Sequence, residues 1–107
     1  AIVCLESVPN TSERLNLQSK LENSGKKIIP ISAKQKFNFA GNMLEFQNKK
    51  GEKFTVMSKA AFDSLNKAQK ESISKLTEII SPEIPTIEKL GGGSARCMMA
   101  EIFLPKT

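Results

Sequence analysis

Apolar and polar positions change rhythm several times along this chain, and each change marks an element. Residues 2–7 open on a short apolar run that reads as a buried strand, broken by Val8-Pro9-Asn10. Asn10 followed three positions on by Glu13 has the form of a capping box, in which a side-chain acceptor meets free helix N–H groups while the acid reaches back. Leu17 and Leu21 mark one face of the helix that follows, and Gly25 stands where its C-terminus needs a left-handed residue. Residues 27–32 predict a second strand. Pro30 within it donates no backbone hydrogen bond, so it belongs at an edge or a strand end.

Residues 37–47 predict a third strand interrupted near Gly41, and 48–52 form a glycine-containing loop of hairpin length. Phe54 and Val56 alternate on the returning strand. Ser58 caps a helix through Ala60, Ala61, Phe62 and Leu65, and Asn66 with Gln69 offers a second cap. Ile73, Leu76 and Ile80 recur at helical spacing, with Glu71 and Lys75 as a favourable i,i+4 pair. Pro82 and Pro85 lead into a short strand, Thr86 to Leu90, before Gly91-Gly92-Gly93. A last strand over 97–104 places Met98, Ala100, Ile102 and Leu104 on one face against Cys97, Met99, Glu101 and Phe103 on the other. This order predicts an α+β class in a single domain, 1–107, with a self-similarity too loose to establish a repeat.

Composition narrows the function classes. Apolar residues at 39% and charged residues at 25% support an ordered core and argue against disorder. No apolar run approaches the roughly 20 residues of a membrane-spanning helix. The opening residues lack the basic lead and long apolar stretch of a signal peptide. A soluble, cytoplasmic protein with no membrane partner is expected. The net charge of +5 raises the question of nucleic acid, but the lysines are scattered beyond two pairs and neither Trp nor Tyr is present. A stacking platform would rest on Phe alone, and solvated loops and helix faces account for the charge, so no nucleic-acid partner is expected.

The histidine count of zero is more decisive, because it excludes a Cys-His or Ser-His couple built from these residues. It also removes the commonest transition-metal ligand, and two distant cysteines make no zinc site, so neither a metal nor a cofactor is expected. Cys4, among Ile2, Val3 and Leu5, sits where a buried, inert thiol belongs. A Cys4–Cys97 disulfide is conceivable, but two thiols without a framework suit a reducing compartment.

The segment from Glu88 to Met98 carries the candidate chemistry. Three consecutive glycines lose much backbone entropy on ordering, which a loop bears where the backbone takes positive φ or approaches a ligand. Cys97 follows, with Arg96 beside it as a cation that favours thiolate, the nucleophilic form. From residue types alone, two readings stand: a loop that presents a nucleophile, or a flexible turn before a half-buried core cysteine.

Residues 91–104 (Gly-Gly-Gly-Ser-Ala-Arg-Cys-Met-Met-Ala-Glu-Ile-Phe-Leu) resemble the C-terminal signature of the amidinotransferase and arginine deiminase superfamily. Residues 39–45 (Phe-Ala-Gly-Asn-Met-Leu-Glu) are similar to the Gly-Asn strand that precedes it there. The likeness runs over essentially the whole chain and is closest to bacterial hydrolases linked to citrulline or arginine metabolism. It implies a five-bladed α/β propeller of ββαβ-type modules, the pentein fold, of which this chain would be a C-terminal fragment of one and a half to two modules. It further implies Cys97 as catalytic nucleophile on a small guanidino or ureido substrate. Gly91, Gly92 and Gly93 would line the substrate pocket, and Asn42 would orient a pocket residue or hold a tight turn. The family's general acid/base histidine and guanidinium-binding acids lie upstream of the matched segment. Glu45, Glu88 and Glu101 are therefore read as structural or exposed, and the chain alone is expected to be inactive. Hydrolase and amidinotransferase stay open, since they differ in whether water or an amine meets the intermediate. An excised pair of modules should expose apolar surface and form homo-oligomers. The alternative reading is a small basic binding module whose glycine loop contacts an anion, nucleic acid or a partner protein.

Overall fold

The structure is a computed structural model describing residues 1–104. It is an α+β arrangement of two small sheets. The first unit runs β1 (Ile2–Val3), α1 (Thr11–Asn23), β2 (Ile29–Pro30), with β1 and β2 parallel and Ile2 opposite Ile29. Ile29 N–H donates to Ala1 O at 2.8 Å and Ile31 N–H to Val3 O at 2.9 Å. Pro30 falls between those two donors, at the position whose N–H would point away from the ladder, so the ring costs the pair nothing. α1 starts where expected: Asn10 Oδ1 accepts from the N–H groups of Ser12 and Glu13 at 2.9 and 3.2 Å. Gly25 ends the helix region with φ at +77°.

The second unit has the order ββαβ. β3 (Leu44–Gln47) and β4 (Lys53–Val56) form an antiparallel hairpin; α3 (Lys59–Ser64) and α4 (Lys67–Ser74) cross over to β5 (Glu78–Ile80), parallel to β4. Phe46 and Phe54 face each other across the hairpin with ring centroids 5.4 Å apart. Ser58 and Asn66 cap α3 and α4 as the pattern predicts. The core is common to both units: Ile29, Ile31 and Ala40 pack with Met57, Ala61, Leu65 and Ile73.

Glutamine amides lock the units together. Ser32 and Gln35 form a capping box that starts α2 (Ala33–Phe37), and Asn66 and Gln69 form another on α4. Gln35 Nε2 then donates to Gln69 Oε1 at 2.7 Å, and Gln69 Nε2 donates to Pro30 O at 2.6 Å. Every polar end of the pair is used, which is what a buried amide requires.

Several expected strands are different elements. The Ser32–Gln35 box turns the start of the expected 37–47 strand into α2, leaving only Leu44–Gln47 extended. Residues 86–90 lie in α5 (Pro85–Gly91), because Pro85 at the first turn pre-sets helical φ and Gly92, at φ +68°, accepts the left-handed cap. Residues 97–104 form no strand: the N–H groups of Cys97, Met98 and Met99 donate to Ser94, Ala95 and Arg96 carbonyls, closing a 3₁₀ turn over Arg96–Met98. Ile80 leaves the helical pattern for β5 once α4 ends at Ser74. Each small sheet is open, and no closed ring of strands occurs among the described residues. No helix there is long and apolar enough to cross a membrane.

Candidate active site around Cys97

The loop after α5 is held from inside and from outside. Inside, Ser94 is fully buried and its Oγ donates to Glu88 Oε1 at 2.6 Å, pinning the loop back onto the helix it leaves. Ala95 is buried beside it, and the 3₁₀ turn then lifts Arg96 and Cys97 to the surface. Outside, Asn42 reaches the turn from the bend between α2 and β3. That bend is tight: Phe39 takes a left-handed φ of +64°, and Asn42 N–H donates to Phe39 O at 2.8 Å.

Asn42 Oδ1 accepts the backbone N–H of Arg96 at 2.9 Å, and its Nδ2 donates to Cys97 Sγ at 3.0 Å. The orientation of this amide is determined, because only the oxygen can accept from Arg96 N–H. The nitrogen must then face the sulfur. This hydrogen bond lowers the Cys97 thiol below the ordinary value of 9.0, helped by the Ser94 backbone; desolvation opposes it, and the Arg96 charge is a weaker aid than either bond.

The three glycines have three different reasons. Gly92 supplies the left-handed cap of α5. A Cβ on Gly93 would stand 3.1 Å from both Cβ and Sγ of Cys97, tight enough that the cysteine would have to give by a few tenths of an ångström. Gly91 is an ordinary last helical residue, where an added Cβ would meet only Ile87 at 4.0 Å. Gly92 is also the one glycine of the three beside a concave surface. With Asn42, Cys4, Lys36 and Phe39 it borders a cavity of about 360 Å³. Gly91, Gly93 and Cys97 itself stand outside that lining. Cys4 is half-buried, a free thiol in the same cavity wall.

Glu45 is exposed and pairs with Lys53 at 3.5 Å, while Glu101 is exposed. Glu88 serves the loop through Ser94. Ser94 is the supporting residue that sequence reading passed over. Its signal was a lone hydroxyl in a glycine loop with one carboxylate a turn and a half upstream. No cluster of three or more His, Cys, Asp or Glu side chains is placed to hold a metal among the described residues.

A family model described as N,N dimethylarginine dimethylhydrolase, eukaryotic, matches residues 1–104, nearly the full chain. The chain belongs to this family. It therefore falls within the guanidino-modifying superfamily that the glycine–cysteine loop resembles, and at the family level it is a guanidino-group hydrolase acting on C–N bonds. The matched model is described as eukaryotic, where the resemblance pointed to a bacterial branch. No curated protein and no solved structure matches the chain.

Proposed function

We propose that Cys97 is the nucleophile of a guanidino-group hydrolase and that this chain contributes the cysteine part of a larger active site. The Asn42–Sγ hydrogen bond carries this reading. It joins the two family-like segments at one sulfur and favours the thiolate. The substrate class is an arginine-like or citrulline-like compound, with an N-methylated arginine the form suggested by the family's description.

In the reaction, the Cys97 thiolate adds to the planar guanidinium carbon and forms a C–S bond, giving a tetrahedral adduct. The C–N bond to the departing amine breaks as that nitrogen takes a proton, and an S-alkylthiouronium remains. Water adds to the same carbon and gives up one proton, and its second leaves as the C–S bond breaks to release the ureido product and the thiolate. The cationic substrate stabilises the thiolate on approach. These proton transfers need a general acid/base, and with no histidine in 107 residues we assign that group to polypeptide outside this chain. On this reading the two units described above are adjacent blades of a pentein propeller, and the chain alone turns over nothing. Leu90, Met98, Met99, Ile102, Phe103 and Leu104 are exposed and apolar, which supports self-association of the isolated chain.

The test is release of ammonia from arginine, and of methylamine or dimethylamine from its mono- and dimethylated forms. The isolated chain should release none, and a polypeptide joining it to a histidine-bearing remainder should lose turnover on Cys97→Ala. Turnover that survives Cys97→Ala overturns the proposal.

A further inference from the structure

We propose that Asn42 is a positioning residue that aims the Cys97 sulfur and selects its thiolate form, rather than a residue that binds substrate. The inference rests on Cys97 being the nucleophile and adds how its direction and ionisation are set. Both functional ends of the amide are already used, Oδ1 by Arg96 N–H and one Nδ2 hydrogen by Sγ. One planar group thus fixes the backbone immediately before the cysteine and the sulfur itself. Gly93 leaves the space this sulfur position needs, since an added Cβ there would stand 3.1 Å from Sγ. Donation to sulfur is stronger to the anion than to the thiol, so the contact binds the thiolate better.

The surrounding charges do not supply this. Arg96, on the same turn, acts on the thiol more weakly than the amide does. Glu88 is engaged by Ser94, and Lys36 Nζ, across the cavity, donates to Ser7 Oγ at 2.8 Å. Glu101 and Glu45 are exposed, Glu45 against Lys53.

The experiment is alkylation of Cys97 by iodoacetamide against pH, read at the Cys97 peptide by mass spectrometry so that Cys4 does not contribute. Asn42→Asp keeps the acceptor for Arg96 N–H and sets a carboxylate oxygen against the sulfur. Its midpoint should move to higher pH, with the rate at pH 7 reduced roughly threefold or more and the limiting rate at high pH retained. Asn42→Ala should move the midpoint in the same direction by less. In the unsubstituted chain, the Asn42 side-chain NH₂ resonances should titrate with the Cys97 midpoint, a reading that needs no variant to fold. An unmoved midpoint in a folded Asn42→Asp, or NH₂ resonances that stay constant through the thiol titration, overturns the proposal. Loss of the nucleophile reading would show instead as turnover surviving Cys97→Ala, with the alkylation profile unaffected.

Discussion

Replacing Gly93 by alanine inserts one methyl group into the tightest gap beside the reactive sulfur. The new Cβ would lie 3.1 Å from Cys97 Cβ and 3.1 Å from Sγ. Comfortable carbon contacts begin near 3.5 Å, so Cys97 must retreat by about 0.5 Å. Rotation about χ1 can relieve the sulfur contact but not the one at Cβ, so the backbone turn moves too. That shift displaces Sγ from the position in which it accepts from Asn42 Nδ2 at 3.0 Å, and a hydrogen bond weakens steeply once its distance and angle are disturbed. Fold stability should barely change, because glycine to alanine gains about 0.5–1 kcal/mol through the unfolded chain and offsets strain of similar size. Cys97 alkylation at neutral pH should slow roughly threefold, since it follows the thiolate fraction. Gly91→Ala is the control: its Cβ meets only Ile87 at 4.0 Å, so the thiol should behave as before and α5 should gain about 0.5–1 kcal/mol. Gly92→Ala forces a left-handed alanine at φ +68° and should cost about 1–2 kcal/mol in denaturant unfolding. A folded Gly93→Ala chain that alkylates at the unsubstituted rate with the same pH midpoint refutes the packing argument.

Three further outcomes follow from the same geometry. Ser94→Ala leaves Glu88 without its buried donor and should lower stability by about 1–3 kcal/mol in urea unfolding; no loss would mean the 2.6 Å bond does not hold the loop. Gln69→Ala takes the side-chain donor from the Pro30 carbonyl and one of two acceptors from Gln35 Nε2, which keeps Ser64 O, and should cost about 1–3 kcal/mol, read as a reduced urea midpoint; an unchanged midpoint would mean the amide pair does not join the units. Because the Cys97 thiol is lowered in the folded chain, the unfolded chain binds more protons between that lowered value and 9.0. Stability from this group should rise as pH rises through that window and be lost as pH falls through the folded value. Cys97→Ala should abolish that rise, and an identical pH dependence in both chains would contradict the sign.

Capping chemistry was the most legible part of the chain, since each cap is a local contract between a side chain and N–H groups two or three residues away. Asn10, Ser58 and Asn66 all cap helices as read. The same rule, applied to Ser32 and Gln35, would have found α2, but the apolar run beyond it suggested a strand. Residues 97–104 mislead for a different reason. Alternation shows that a segment can pair, while pairing also needs a neighbouring strand, and here carbonyls three residues back take the N–H groups of Cys97, Met98 and Met99 first. At the site, the Gly-Asn and glycine–cysteine segments could each be located, but not their junction. That Asn42 meets Arg96 and Cys97 depends on the left-handed Phe39 and on burial of Ser94, neither of which leaves a periodic trace.

The sequence separation of 55 between Asn42 and Cys97 gives the thiol a history as well as a place. A contact so distant in sequence forms only after the intervening hairpin, crossover helices and β5 have brought the chain back. Until then Cys97 is a cysteine in a flexible glycine-rich segment, without its amide partner and with ordinary thiol chemistry. Its neutral-pH reactivity is thus a clock on completed folding. In a refolding time course, rapid pulses of alkylating reagent should label Cys97 faster at the end than at the beginning, the reverse of what burial does to most cysteines.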